Sequence, residues 1–303
     1  MAAELQTGVL TDVVLPLCLA VIMFGMGLSL SAEDFRRVLR QPRAIAAGLL
    51  TQVVILPLAA MATASAFFFL FDFDTELVLG LLLLASCPAG TTSNLVAYLA
   101  RADAALSVSL TSINSLAAAI TTPLVFLATT KLLLGEGRAV NVSFLEMAAL
   151  VVLIVVVPVI IGLVVRRYRP RFATRADRPF RIASAALLAL VILGVLVQNR
   201  AELGTLFIQS VPASLALNVL ALAAGYWIAR LFRLGYPQAR AIAIETGFQN
   251  GTLGIAIAIT QLDSARAAIV PGFYSLVMFA TGAVVAWWWA RHARLHGTGH
   301  VPA

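Results

Sequence analysis

Few residues in this chain could do chemistry, and they are unevenly placed. Among the acidic side chains, Glu245 alone falls deep in an apolar stretch. Glu4, Glu33, Asp34, Asp72, Asp74, Glu76, Asp103, Glu136, Asp177, Glu202 and Asp263 fall between such stretches or at their ends, and Asp12 and Glu146 in first turns. A carboxylate at the centre of a membrane helix costs at least ~2.5 kcal/mol on insertion scales, so it marks a function by default. Neutral oxygen-bearing side chains also sit in apolar stretches: Gln52, Ser93, Asn94, Ser107, Thr111, Gln249 and Asn250. One carboxylate with several neutral oxygens suits a hard monovalent cation better than Ca²⁺, which usually takes more than one acidic ligand. Ser107 and Thr111 are four apart and share a helix face. Singly these residues say little, because Ser and Thr in apolar helices commonly bond to their own backbone or join two helices, and Gln52 reads equally as an interhelical bond. Their coincidence with Glu245 carries the weight.

Two interruptions of the apolar pattern must position this set. The first is Cys87-Pro88-Ala89-Gly90-Thr91-Thr92-Ser93-Asn94, and the second is Glu245-Thr246-Gly247-Phe248-Gln249-Asn250-Gly251-Thr252. Pro88 lacks a backbone donor and disfavours helix at Cys87, while Gly90 adds backbone freedom. In lipid such segments would strand backbone groups, so they must be buried in protein or line a cavity. A pair of broken segments in the two halves of a chain points to a transporter binding site. There, helix N-termini hold an anionic substrate and unwound carbonyls add ligands for a cation.

The setting agrees. The chain has 303 residues, 61% hydrophobic and 12% charged, with a mean hydropathy of +0.97, which excludes an ordinary soluble domain. Apolar windows of roughly 20 residues recur, each long enough for a ~30 Å hydrocarbon core, and the short alternating strands of a membrane barrel are absent. The expected fold is an all-α polytopic membrane protein of nine spans: Leu10–Leu30, Ala44–Leu70, Leu77–Ala100, Ala104–Thr130, Phe144–Val165, Phe180–Val197, Leu206–Ile228, Ala239–Leu262 and Ala267–Trp289. The net charge of +7 does not imply a nucleic-acid partner, because topology accounts for the basic residues. Of the 21 lysines and arginines, 17 fall on one side of the spans and only Lys131, Arg138, Arg200 and Arg266 on the other. That bias places the N-terminus outside and the C-terminus in the cytoplasm, with Trp227 and Trp287 to Trp289 at cytoplasmic ends. Spans one to four and six to nine then form inverted repeats joined by span five. Met1 to Thr7 carry no basic n-region of a cleaved signal.

Other centres lack members. His292, His296 and His300 all lie in the tail, so neither a Ser–His–Asp centre nor a His-based metal site can assemble in the spans. The chain therefore does not read as an enzyme. Cys18 and Cys87 read as packing residues rather than a disulfide, and Met23-Phe24-Gly25-Met26-Gly27 as tight helix packing.

Met23-Phe24-Gly25-Met26-Gly27-Leu28, Cys87 to Asn94, Tyr98-Leu99-Ala100-Arg101, Ala105-Leu106-Ser107-Val108 and Glu245 to Asn250 resemble the bile acid:sodium symporter family, over about Ile22 to Trp289. Bacterial members of its apical-bile-acid-transporter branch match best. The resemblance implies a secondary transporter in a bacterial inner membrane, with a core domain of two crossed discontinuous helices (approximately residues 44–130 and 206–289) and a panel domain (approximately 10–30 and 144–197). It implies two Na⁺ ions as coupling ligands. Ser93, Asn94, Ser107, Thr111 and Glu245 fall at the first site. Gln52, Glu245 and Gln249, with the Thr246 and Phe248 carbonyls, fall at the second. Thr91 and Asn250 fall where an organic-anion substrate is held. A monomer suffices for such a cycle. The chain begins one helix later than ten-span relatives, like nine-span members. It also carries Met278 and Phe279 where some relatives carry a substrate-facing His-Asn pair, which leaves the substrate open among bile acids, pantoate-like acids, keto acids and sulfonated metabolites. A proton-coupled or uncoupled carrier of the same fold, a metalloid exporter using Cys87, and a non-transporting receptor or scaffold remain as alternatives.

Overall fold

The computed structural model describes residues 15–71, 73–135, 142–198 and 200–295. The start of the first expected span, Arg138, His296 and His300 lie outside them. The regular structure among the described residues is helical: α1 (Leu15–Ser29), α2 (Ala32–Arg40), α3 (Pro42–Phe71), α4 (Thr75–Ser86), α5 (Thr92–Leu99), α6 (Ala104–Leu134), α7 (Phe144–Tyr168), α8 (Pro170–Gln198), α9 (Leu203–Leu231), α10 (Tyr236–Gly247), α11 (Gly251–Thr260) and α12 (Ile269–Leu295). Five are long and apolar enough to cross a membrane, namely α3, α6, α7, α9 and the Ile269–Arg291 part of α12; Pro16–Ser29, α4 and α11 are shorter apolar helices. The two interrupted stretches supply short helices because each is cut in mid-course. Twelve residues of helix reach only about 18 Å at 1.5 Å per residue, well short of a hydrocarbon core. The order long, broken, long occurs twice, as α3, α4–α5, α6 and again as α9, α10–α11, α12.

Two basic stretches expected as loops are helical instead. The stretch holding Arg36, Arg37 and Arg40 forms α2, where Asp34 Oδ2 accepts from both the backbone nitrogen and the hydroxyl of Ser31 at 2.7 Å. This is the reciprocal arrangement that starts a helix. The stretch from Arg171 to Arg181 belongs to α8, which starts at Pro170 rather than near Phe180. Proline is at home in a first turn, where its missing N–H costs nothing. Arg166 and Arg167 form the last turn of α7, favourable for its C-terminal carbonyls, and Arg166 Nη1 reaches back to the Leu28 carbonyl at 2.9 Å.

α3 and α7 each contain a π-helical segment, Thr51–Ile55 and Val152–Val156, ending two residues before Pro57 and Pro158. A mid-helix proline clashes with the carbonyl four residues back and withholds a donor; one extra residue in the preceding turn relieves both. In α3 the widened turn contains Gln52, buried.

The helix breaks are residues 87–91 and 248–250, and they meet. Cys87 is extended (φ −74°, ψ 154°), as a residue before proline should be, so α4 ends at Ser86. Ala89 and Gln249 pair as an isolated antiparallel bridge, in which Gly90 N donates to Phe248 O at 3.0 Å and Asn250 N to Pro88 O at 2.9 Å. Side chains take the carbonyls that remain. Gln52 Nε2 donates to Cys87 O at 2.9 Å and Gln249 Nε2 to Thr246 O at 2.7 Å, while Ser93 Oγ lies 2.8 Å from Gly90 O and shares its single proton between that carbonyl and Glu245 Oε2. Gly247 O accepts from Asn218 Nδ2 at 2.8 Å and from the Tyr274 hydroxyl at 3.0 Å, and Thr281 Oγ1 fixes the Asn218 amide by donating to its Oδ1 at 2.7 Å. Each group left unpaired here would cost several kcal/mol, which is why the breaks occur as a pair.

Small residues set the helix spacing around this crossing. A Cβ on Gly27 would meet the Val159 carbonyl and would lie 2.9 Å from the Gly162 Cα, so α1 and α7 touch backbone to backbone. Phe24 and Phe180 pack edge to face at 5.3 Å and bring α8 onto α1. At the N-terminal ends of α4 and α9, Arg266 reaches Asp74 (2.9 Å), Glu76 (3.6 Å) and Glu202. Two outcomes follow from this packing. Gly27→Val lowers the Tm of the detergent-solubilised protein, by about 1–3 kcal/mol of stability as in overpacked cores. Asn218→Leu leaves Gly247 O to Tyr274 alone and the Thr281 hydroxyl without its amide, and costs about 1–3 kcal/mol in the same melting measurement.

Candidate functional site

The Glu245 carboxylate lies at the end of α10, two residues before its last residue, Gly247. It is 3% exposed, yet fully met by hydroxyls. Ser93 Oγ and Ser107 Oγ donate to its Oε2 at 2.8 and 2.9 Å, and Thr111 Oγ1 donates to its Oε1 at 2.6 Å. Asn94 closes the group, its Oδ1 lying 2.9 Å from Ser107 Oγ and 3.3 Å from Thr111 Oγ1. Three elements deliver these side chains. α5 begins at Thr92, so Ser93 and Asn94 sit in its first turn; α6 presents Ser107 and Thr111 one turn apart; α10 presents Glu245. Asp103 caps α6, its Oδ1 accepting from Leu106 N at 2.9 Å, and its own backbone nitrogen donates to Pro237 O at 3.0 Å. That last bond ties the starts of α6 and α10, two of the three helices carrying the cluster. All five residues anticipated as one group, Ser93, Asn94, Ser107, Thr111 and Glu245, are therefore in contact.

The arrangement is chemically specific. A hydroxyl that donates to a carboxylate keeps its lone pairs, so the cluster offers oxygens from every member while its donors stay satisfied. The carboxylate brings one negative charge into a region otherwise made of neutral dipoles.

The second anticipated group is partly assembled. Gln52 and Gln249 form a reciprocal amide pair, with Nε2 to Oε1 distances of 3.0 and 3.3 Å. Gln249 also holds the Thr246 carbonyl. The Phe248 carbonyl is spent on the crossing, where it accepts from Gly90 N. The hydrogen bonds of the Glu245 carboxylate all go to Ser93, Ser107 and Thr111 among the described residues.

Thr91 and Asn250 occupy equivalent places, each the N-cap of the second half of a broken helix. Thr91 is half-buried, with no side-chain bond to its own helix. Asn250 is committed, since its Oδ1 accepts from Leu253 N at 3.1 Å while its Nδ2 faces Met23 Sδ of α1 at 3.8 Å. Met278 is buried, and Phe279 is 40% exposed with its ring 6.3 Å from that of Phe248. Cys87 is buried at the end of α4 and contributes its carbonyl, not its thiol, to Gln52.

Sequence reasoning missed Asn218, Tyr274, Thr281 and Asn114. A signal existed for Asn218: Ser210, Ser214 and Asn218 recur every four residues on one buried face of α9. Tyr274 and Thr281 gave none, because a tyrosine or threonine in an apolar helix is common and only the neighbouring helix shows what it holds.

A protein-family model described as the sodium bile acid symporter family matches residues 16–206. The sodium-dependent transporter YocS of Bacillus subtilis (strain 168) is 30% identical over 93% of this chain and 84% of its own length. The ileal sodium/bile acid cotransporter of Homo sapiens is 30% identical over 95% of this chain and 82% of its own length. The "Probable sodium/metabolite cotransporter BASS2, chloroplastic" of Oryza sativa subsp. japonica is 33% identical over 89% of this chain and 62% of its own length. The family model spans more than half of the chain, including the first helix break, and the similarity to the Bacillus subtilis and human proteins extends over nearly all of it, so this chain belongs to the sodium bile acid symporter family and is a multi-pass, sodium-coupled membrane transporter rather than an enzyme.

Proposed function

We propose that this protein carries a small organic anion into the cell together with two Na⁺ ions by alternating access. The observation that carries the reading is the Glu245 carboxylate, buried where the two broken helices meet and ringed by the oxygens of Ser93, Asn94, Ser107 and Thr111. An isolated carboxylate is expensive in a low-dielectric interior, and a bound cation removes most of that cost. Na⁺ is hard and takes oxygen ligands, which is what the cluster supplies. The second ion belongs at Gln52, Gln249 and the Thr246 and Phe248 carbonyls, beside the far edge of Glu245, whose single charge serves both. Filling that site requires the Gln52–Gln249 pair to part and the break to shift, because the Phe248 carbonyl accepts from Gly90 N in the crossing. Ion binding and the conformation of the crossing are thereby coupled.

The substrate anion belongs beside Thr91 and Asn250. The N-termini of α5 and α11 converge there, and each carries the positive end of a helix dipole. Met23 of α1 faces Asn250, so α1 walls the same place. The packing of α1 against α7 and α8 supports these as a panel, and the crossing with its flanking long helices supports a core that moves against it. Nine spans, counting each broken pair as one, in inverted repeats, with the N-terminus outside, agree with the repeated long-broken-long order and with the charge bias. The relatives' names attach bile acid to the human protein and an unspecified metabolite to the rice protein. Here Phe279, 40% exposed with its ring 6.3 Å from that of Phe248, puts an apolar surface near the break, which favours an anion with an apolar body over a small polar one.

A thermal-shift screen of organic anions, with and without Na⁺, identifies the substrate: a true ligand raises Tm in Na⁺ and fails in choline, since only binding to the folded state adds stability. With that anion, uptake into proteoliposomes follows the Na⁺ gradient. Glu245→Ala and the Ser93→Ala/Asn94→Ala pair each lower Na⁺-driven uptake at least about tenfold, one lost charge-assisted contact being worth ~1.5–3 kcal/mol. Full uptake by both variants, or uptake driven by a pH gradient and indifferent to Na⁺, would refute the ion assignment.

A further inference from the structure

Behind the first break lies a small polar cavity of about 10 Å³, the space that one water-sized particle needs. Gln52 and Val53 of α3, Ala85 to Pro88 at the end of α4, and Asn114, Thr121 and Val125 of α6 line it. Asn114 is 3% exposed, and among the described residues its Nδ2 has no hydrogen-bond partner. A buried amide left unpaired is costly, so an occupant is called for. Three features separate this occupant from a purely structural water. Asn114 lies three residues beyond Thr111 on α6, one turn from the Glu245 cluster, and Gln52 belongs to the second ion group. Thr121 and Val53, at the other rim, are half-buried, so the cavity is closed toward the cluster's flank and looser away from it. Its lining holds no charge, and its polar groups are an amide pair and the hydroxyls of Ser86 and Thr121, which donate to Leu82 O and Ala117 O and keep free lone pairs. Turning the Asn114 amide about its last torsion exchanges a donor for an oxygen without moving the chain.

We propose that this cavity is a transit station, holding one Na⁺ stripped of its water shell as it passes between the outer face and Glu245. The proposal rests on the sodium-coupled reading above and adds the route by which the ion arrives. On the charge-bias orientation, α6 runs from the cytoplasm at Ala104 outward to Leu134, which puts Asn114 and then Thr121 on the outer side of the Ser107–Thr111 pair. The station lacks a carboxylate, so it holds the ion weakly and passes it on to Glu245, where the charge is.

The test is sided thiol labelling of Thr121→Cys, at the half-buried rim where a reagent larger than the cavity can meet it, in a Cys18→Ser/Cys87→Ala background, in right-side-out membrane vesicles. A cationic thiosulfonate reagent applied outside modifies the cysteine about tenfold faster than an anionic reagent of the same size, the low end of electrostatic focusing by a site of one sign. Na⁺ in place of choline slows the cationic reagent. Absence of modification from outside, equal rates for the two reagents, or indifference to Na⁺ overturns the station. Should Thr121→Cys not assemble, Val53→Cys at the same rim takes its place. Asn114→Leu gives a second measurement. In detergent it keeps the Na⁺-induced rise in Tm, because a route changes rates and not equilibrium at Glu245, whereas Glu245→Ala loses that rise. Loss in Asn114→Leu as well makes Asn114 part of a resident site and overturns the transit role. If the wild type itself shows no Na⁺-induced rise, the sodium reading falls first and the station with it, a result distinct from failure of the station alone.

Discussion

The pairing of Ala89 with Gln249 is the interaction on which the rest of this molecule depends. Two helices stop in mid-course, in a place without water to take up their freed backbone groups. Neither interruption is tolerable alone. Together they exchange two backbone hydrogen bonds, and Gln52, Ser93, Gln249, Asn218 and Tyr274 take the carbonyls left over. Polar side chains therefore gather around the crossing for a structural reason before any functional one. On the proposed function, the same gathering is where an ion and an anionic substrate would meet dipoles instead of hydrocarbon.

On the proposed function the crossing is also where transport and stability compete. Several oxygens proposed as ion ligands are engaged by neighbours: Phe248 O by Gly90, and Gln52 and Gln249 by one another. The Glu245 cluster is different. Its hydroxyls already converge on the carboxylate. On the proposed function the two groups therefore differ in readiness: the first would take an ion with little rearrangement and the second would have to open, and a ligand shifts a conformational equilibrium only through a difference in affinity between its states. Elsewhere the fold is built for rigidity, with glycines at helix contacts such as Gly27 against Gly162 and aromatic pairs such as Phe24 with Phe180.

Much of the site was legible because its signals are local and costly. Glu245 stood out by the expense of a charge in an apolar stretch, and Pro88 by its effect on Cys87, which is extended as expected. The helices carrying them follow the expected spans to within a few residues, except at α8, where Pro170 starts the helix earlier, and at α2, where Ser31 and Asp34 start one unforeseen. The widened turns before Pro57 and Pro158 also went unread, although each proline announces a local problem. Such signals tell that backbone must adjust, not how.

By itself the sequence determined the class of molecule, the two interruptions, the lone deep carboxylate and the small polar side chains near it, since each follows from what hydrocarbon charges for polarity. Only the tertiary structure decided which groups share a partner. It placed Ser93, Ser107 and Thr111 on one carboxylate across sequence separations of up to 152 residues. It spent the Phe248 carbonyl on the crossing, gave Asn218 and Tyr274 to Gly247, and left the Asn114 amide facing a cavity. A hydrogen bond needs its two atoms within about 3 Å and in line, and a pattern along one chain carries no information about that between helices far apart in it.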